Sequence, residues 1–215
     1  MEFFDGITLS QRIKKKGNLS KNKTRFIARQ LISTIRYCHS KGISHRDIKP
    51  ENVMVDKYLN IKIIDFAFGI RQTYKKSEHK ANCGTPNYMA PEVIYKRSYC
   101  PQPADIWAIG VLLLKIRSGK VPFSGKYEKL TFLGKDRKEL RKKIDSVDID
   151  PRSTVNACDD LRDLIYKVFQ KEAKMRPRAK DLLKHPFVVR SGTPGKTKKV
   201  LIPKASRGDA SRGVV

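Results

Sequence analysis

The chain has 215 residues, 39% of them hydrophobic, and 47 Lys and Arg against 21 Asp and Glu give it a formal charge of +26. That length and hydrophobic content fit one folded soluble domain with a substantial core. Cys38, Cys83, Cys100 and Cys158 form no CxxC or Cys/His spacing, which argues against a clasped metal and for free thiols in a reducing compartment.

The opening MEFFDG lacks the basic region and apolar stretch of a secretory signal. Ser20 is a good N-cap, and Ile27, Leu31, Ile35 and Cys38 then recur at helical spacing until Gly42 supplies a stop. This amphipathic helix delivers the chain to HRDIKPEN, residues 45–52, where a histidine, two cations, two carboxylates and an amide are packed together. Two β-branched runs, Val53 to Val55 and Ile61 to Ile64, suit a small hairpin, with Asp65 directly at its end.

From Phe66 to Glu92 no periodicity is sustained, and a long loop of the kind that carries function is expected. Helices follow at Asp105 to Arg117, at 135–144, on the face Leu161, Leu164, Ile165, Val168 and Phe169, and at Ala179 to Lys184, closed by His185-Pro186. The run Ile106 to Leu114 is about half the ~20 residues a membrane span needs, so it reads as a helix buried on all sides. A cytoplasmic or nuclear protein without a membrane span is expected. Residues 189–215 are rich in Gly, Ser, Pro and Lys and read as a basic disordered tail.

HRDIKPEN, the strand-end Asp65 and GTPNYMAPE, in this order, closely resemble the C-terminal lobe of a eukaryotic protein kinase. The resemblance covers residues 1–188 and implies a mainly α lobe with a small β-hairpin region, entered through a hinge at residues 1–6. It implies a phosphoryl transferase that uses ATP and Mg2+, in which Asp47 orients the acceptor hydroxyl and takes its proton, Lys49 lies by the transferred group, and Asn52 and Asp65 hold magnesium. Glu2 and Phe4 of the hinge, with Glu51 and Met54, fall where the family binds nucleotide. Lys49 and Thr85 match serine/threonine kinases, so the partners implied are proteins with Ser/Thr acceptors, and the chain as a whole resembles the calcium/calmodulin-dependent or energy-sensing kind. His45 and Phe66 would stack in the column joining the two lobes, Asp105 would brace the catalytic loop, and Glu92 would pair with Arg176.

The departures carry expectations of their own. No glycine-rich phosphate loop, strand lysine or partner glutamate of the N-terminal lobe occurs in the 215 residues, so the chain alone is expected to be weak or inactive unless a longer chain supplies that lobe. The alternative is a pseudokinase or scaffold that binds substrates or partners without phosphoryl transfer. Ala67 replaces a glycine whose loss disfavours positive φ, Pro101 another glycine, and Ala81 stands where an activating threonine is common. A phosphate for Arg46 would then come from Ser77 or Thr73. Nucleic acid is not an expected partner, because the dense run GKTKK has no interleaved aromatics.

Overall fold

The computed structural model describes residues 3–72, 79, 83–95, 98–122, 142 and 159–190. Glu2, Thr73, Ser77, Ala81, Cys158, the helix expected over 135–144 and the tail from residue 191 lie outside them, apart from Lys142. Strand β1 (Ile7–Thr8) turns at once into α1 (Leu9–Lys16). Hydrophobic spacing does not mark this helix, but a capping box does. Thr8 Oγ1 accepts from Gln11 N (3.1 Å) while Gln11 Oε1 accepts from Thr8 N (3.0 Å), the reciprocal bonding encoded by TLSQ.

Helix α2 (Lys21–Ser40) buries Ile27, Leu31, Ile35 and Cys38 as the spacing predicts, although the Ser20 side chain makes no capping bond. Gly42, at φ 73°, then takes the chain out of the helix. Strand β2 (Ile43–Ser44) leads into the site segment, a 3-10 turn at Pro50–Asn52, and the strands β3 (Val53–Val55) and β4 (Ile61–Ile63). The expected β3–β4 hairpin forms, one residue shorter than predicted, and β1 pairs on the other side of β3. Gln30 fastens this sheet to α2 by donating to Leu59 O (2.9 Å) and accepting from Ile61 N (3.2 Å).

The stretch expected as loop contains β5 (Ile70–Arg71), antiparallel to β2, a 3-10 turn at Pro86–Tyr88 and α3 (Pro91–Tyr95). Elements this short complete too little of a period to be read from spacing. Helix α4 (Pro101–Ser118) begins before the expected Asp105. Pro101 and Pro103 fall in its first turn, where backbone N–H groups have no intrahelical partner to lose.

Ile106 to Leu114 are buried throughout, which makes α4 the centre of the core. Helix α5 (Asp159–Val168) packs against it. A Cβ on Gly110 would lie 2.7 Å from Val168 Cγ1 and 2.8 Å from Phe169 Cε1. Gly110→Val is therefore expected to cost about 1–3 kcal/mol by overpacking, read as a lower urea midpoint.

Two short helices, α6 (Ala179–Leu182) and α7 (Pro186–Val189), complete the described chain. His185 does more than end a helix: its Nδ1 accepts from Phe187 N (3.2 Å) and so caps α7. Arg190, one step further, reaches Asp160 Oδ2 at 3.1 Å. The architecture is mainly α with small antiparallel sheets. Among the described residues no helix is long and apolar enough to cross a membrane.

Candidate active site

The segment HRDIKPEN is braced from α4. Asp105, 1% exposed, accepts from His45 N through Oδ2 (2.9 Å) and from Arg46 N through Oδ1 (2.8 Å). Two successive peptides are fixed in this way, which holds Arg46 at φ 68°, a left-handed conformation costing a non-glycine residue about 1–2 kcal/mol. His39, near the end of α2, adds Nε2 2.9 Å from the same Asp105 Oδ2. A solitary histidine carries no sequence signal for such a contact, and only the crossing of α2 over α4 reveals it. The ring of His45 is fully engaged. Its Nδ1 accepts from Asp47 N (3.2 Å), its Nε2 donates to Ile64 O (3.0 Å), and it packs on Phe66 at 4.5 Å between centroids.

Asp47 is the hub of the loop. Its Oδ1 accepts from Thr85 N (2.9 Å) and Thr85 Oγ1 (2.7 Å), and its Oδ2 from Lys49 Nζ (2.8 Å) and Asn52 Nδ2 (3.0 Å). Lys49 Nζ also donates to Thr85 Oγ1 (2.8 Å), closing an Asp47–Lys49–Thr85 triangle. Burial pushes the Asp47 carboxyl up, but hydrogen bonds from Lys49 and Thr85, the Lys49 charge and the Asn52 bond outweigh it, and the group is held below its ordinary value.

As pH falls, Asp47 of the unfolded chain therefore takes up its proton first. The stability it contributes is complete above about pH 4 and is lost as pH drops through the lower folded value. Asp47→Asn is expected to flatten that acid limb in urea unfolding measured across pH.

Thr85 reaches Asp47 because Gly84 precedes it. At φ 107°, a Cβ on Gly84 would lie 2.5 Å from Arg46 O. Gly84→Ala is expected to push the segment off the loop, raising the exchange rate of the Thr85 amide, which hydrogen exchange resolved by residue would measure.

Asn52 and Asp65 stand on adjacent strand ends, since Ile64 N donates to Asn52 O (2.9 Å). The Asn52 amide nitrogen donates to Asp47 O (2.9 Å) and Asp47 Oδ2 (3.0 Å), which leaves Oδ1 as an acceptor. Asp65, at φ 63°, accepts from Ala67 N at 3.2 Å. Ala67 itself is not among the described residues with positive φ. Alanine's aversion to positive φ is thus not challenged at this position, and the left-handed residue of the segment is Asp65.

The register places Met54 between Thr8 and Lys62 on one sheet face, opposite buried Val53 and Val55. The β1–β3 pairing draws the strand that follows half-buried Phe4 against it, while Glu51 is exposed. Farther from the loop, buried Arg176 and Glu92 form a two-pronged pair at 2.6 and 2.7 Å. Arg46, expected to meet a loop phosphate, donates Nε to Phe68 O (2.7 Å).

The protein kinase domain family matches residues 1–188. The chain belongs to the protein kinase family. Sperm motility kinase 2B of Mus musculus is 38% identical over 191 residues, covering 87% of this chain and 36% of that protein. CBL-interacting serine/threonine-protein kinase 8 of Arabidopsis thaliana is 42% identical over 123 residues, covering 57% of this chain and 28% of that protein. The chain spans about a third of the length of the curated relatives it matches.

The donor set suits the cofactors of a kinase. The free Asn52 Oδ1 and the Asp65 carboxylate are hard oxygen ligands, and magnesium commonly takes only one or two protein oxygens, with phosphate and water completing its shell. Among the described residues no group of three His, Cys, Asp or Glu is placed to hold an ion.

Proposed function

We propose that this chain is the substrate- and metal-binding lobe of a serine/threonine protein kinase that transfers the γ-phosphoryl group of ATP to protein hydroxyls. The observation that carries the reading is the Asp47–Lys49–Thr85 triangle with Asn52 bonded to Asp47, one backbone hydrogen bond away from the strand end that carries Asp65. Magnesium-bound ATP supplies an electrophilic phosphorus. Asp47 orients the acceptor hydroxyl and takes its proton, and the depressed affinity of its carboxylate for protons keeps it ionised at neutral pH. Lys49 lies where negative charge develops on the transferred group. Thr85 holds both side chains in place and so couples acceptor binding to the position of the base.

These 215 residues contain no glycine-rich phosphate clamp. By themselves they are expected to work far below the ~1–100 s−1 of family members, and a longer chain supplying the clamp would raise the rate. Labelled ATP, a generic basic protein and Mg2+ test the reading. Slow, Mg2+-dependent label on serine and threonine is expected. No transfer together with no binding of Mg2+·ATP would favour a scaffold instead.

A further inference from the structure

Beyond the active site, exposed lysines from three elements gather around the linker of residues 17–20. Helix α1 ends in Lys14, Lys15 and Lys16, and the first turn of α2 adds Lys21 and Lys23, all five exposed. The end of α4 closes on the linker between them. Leu19 N donates to Ile116 O (2.8 Å), and a Cβ on Gly119 would lie 2.9 Å from Asn18 Oδ1. That contact brings the segment carrying exposed Lys120 against the linker that joins the other lysines.

No Asp or Glu occurs in residues 9–23 or 115–122. On α2, Arg25 reaches Asp160, but Asp160 is already held by it (2.9 Å) and by Arg190 (3.1 Å). Elsewhere Asp159, Asp163 and Asp181 each pair with a cation. The C-terminal dipole of α1 accounts for Lys14 to Lys16, but the dipole of α2 opposes Lys21 and Lys23, whose turn has no acid and no side-chain cap. Local helix stability does not explain that pair.

We propose that this lysine face docks an acidic segment of a protein partner, a run rich in Asp and Glu. A second copy of a chain carrying +26 would be repelled, and the chain's own tail from residue 191 holds a single acid, Asp209, among its cations. The two spans contain no aromatic residue to stack on bases. Leu9 and Ile13 are turned into the core, which leaves nothing apolar to enter a bilayer. Lysine heads on flexible stems suit irregularly spaced carboxylates. Helix α1, about 12 Å long, packs on the Pro50–Asn52 turn, so a docked segment can belong to the same chain as an acceptor hydroxyl. As substrate recruitment this rests on the kinase reading, whereas the binding itself does not.

The test is fluorescence anisotropy of a labelled Glu/Asp-rich peptide with the intact chain. Lys16, Lys21 and Lys23→Glu are compared with the charge-matched Lys174, Lys180 and Lys184→Glu, three exposed lysines elsewhere. The first triple should weaken binding about tenfold or more and the second about twofold at most, with the difference shrinking in salt. Absent binding by the unaltered chain, or equal losses in both triples, would overturn the proposal. So would tighter capture of a DNA duplex or of phosphatidylserine vesicles by the same lysines. Peptide binding without any phosphoryl transfer would leave the docking face standing and count against the kinase reading alone.

Discussion

Replacing Arg176 with leucine is expected to destabilise the fold by about 3–5 kcal/mol, because it strands the buried Glu92 carboxylate without a partner. Arg176 donates to both oxygens of Glu92, to Gln170 O (2.8 Å) and to Pro103 O (3.0 Å), and lies 5.0 Å over the Trp107 ring. One side chain thus ties α3, the start of α4 and the turn after α5 together. At about 2–4 °C per kcal/mol for a domain of this size, the melting temperature should fall by roughly 6–20 °C. The double replacement Glu92→Met with Arg176→Leu should recover much of the loss, since no buried charge is then left alone. Equal melting of Arg176→Leu and the unaltered chain would contradict the account.

Asp47→Asn is expected to lower kcat by about 10²–10⁴-fold, the usual contribution of a positioned general base. The amide keeps the shape of the side chain but can no longer take a proton, and one of its atoms now faces the donors of Thr85 or Lys49 as a further donor. The loss should appear in kcat more than in KM, because the proton moves only as the hydroxyl attacks. Steady-state phosphoryl transfer at saturating Mg2+·ATP measures it. An unchanged kcat would remove Asp47 from the chemistry.

Much of this site was legible in the sequence, because unusual charged and polar residues crowd into short spans. HRDIKPEN, Asp65 and the GTPNYMAPE stretch lie in one region of the fold, and the Glu92–Arg176 and His45–Phe66 contacts form between residues far apart in sequence. What escaped the sequence was set by tertiary geometry or by elements too short to have a period. Strands β1, β2 and β5 span two residues each. Helix α1 was not anticipated, although TLSQ encodes the capping box that starts it. The grip of His39 on Asp105 depends on α2 meeting α4, and the approach of the Lys120 segment to the linker between α1 and α2 depends on Leu19 and Asn18 meeting the end of α4.

The proposal that Asn52 and Asp65 together hold a metal-bound nucleotide is tested most directly by electron paramagnetic resonance of Mn2+·ATP titrated with the chain. The unaltered protein should capture the ion, and Asp65→Asn and Asn52→Leu should each weaken capture by about tenfold or more, as removal of one of so few hard ligands requires. Equal capture by all three proteins would mean that the ion, and the chemistry built on it, belongs elsewhere.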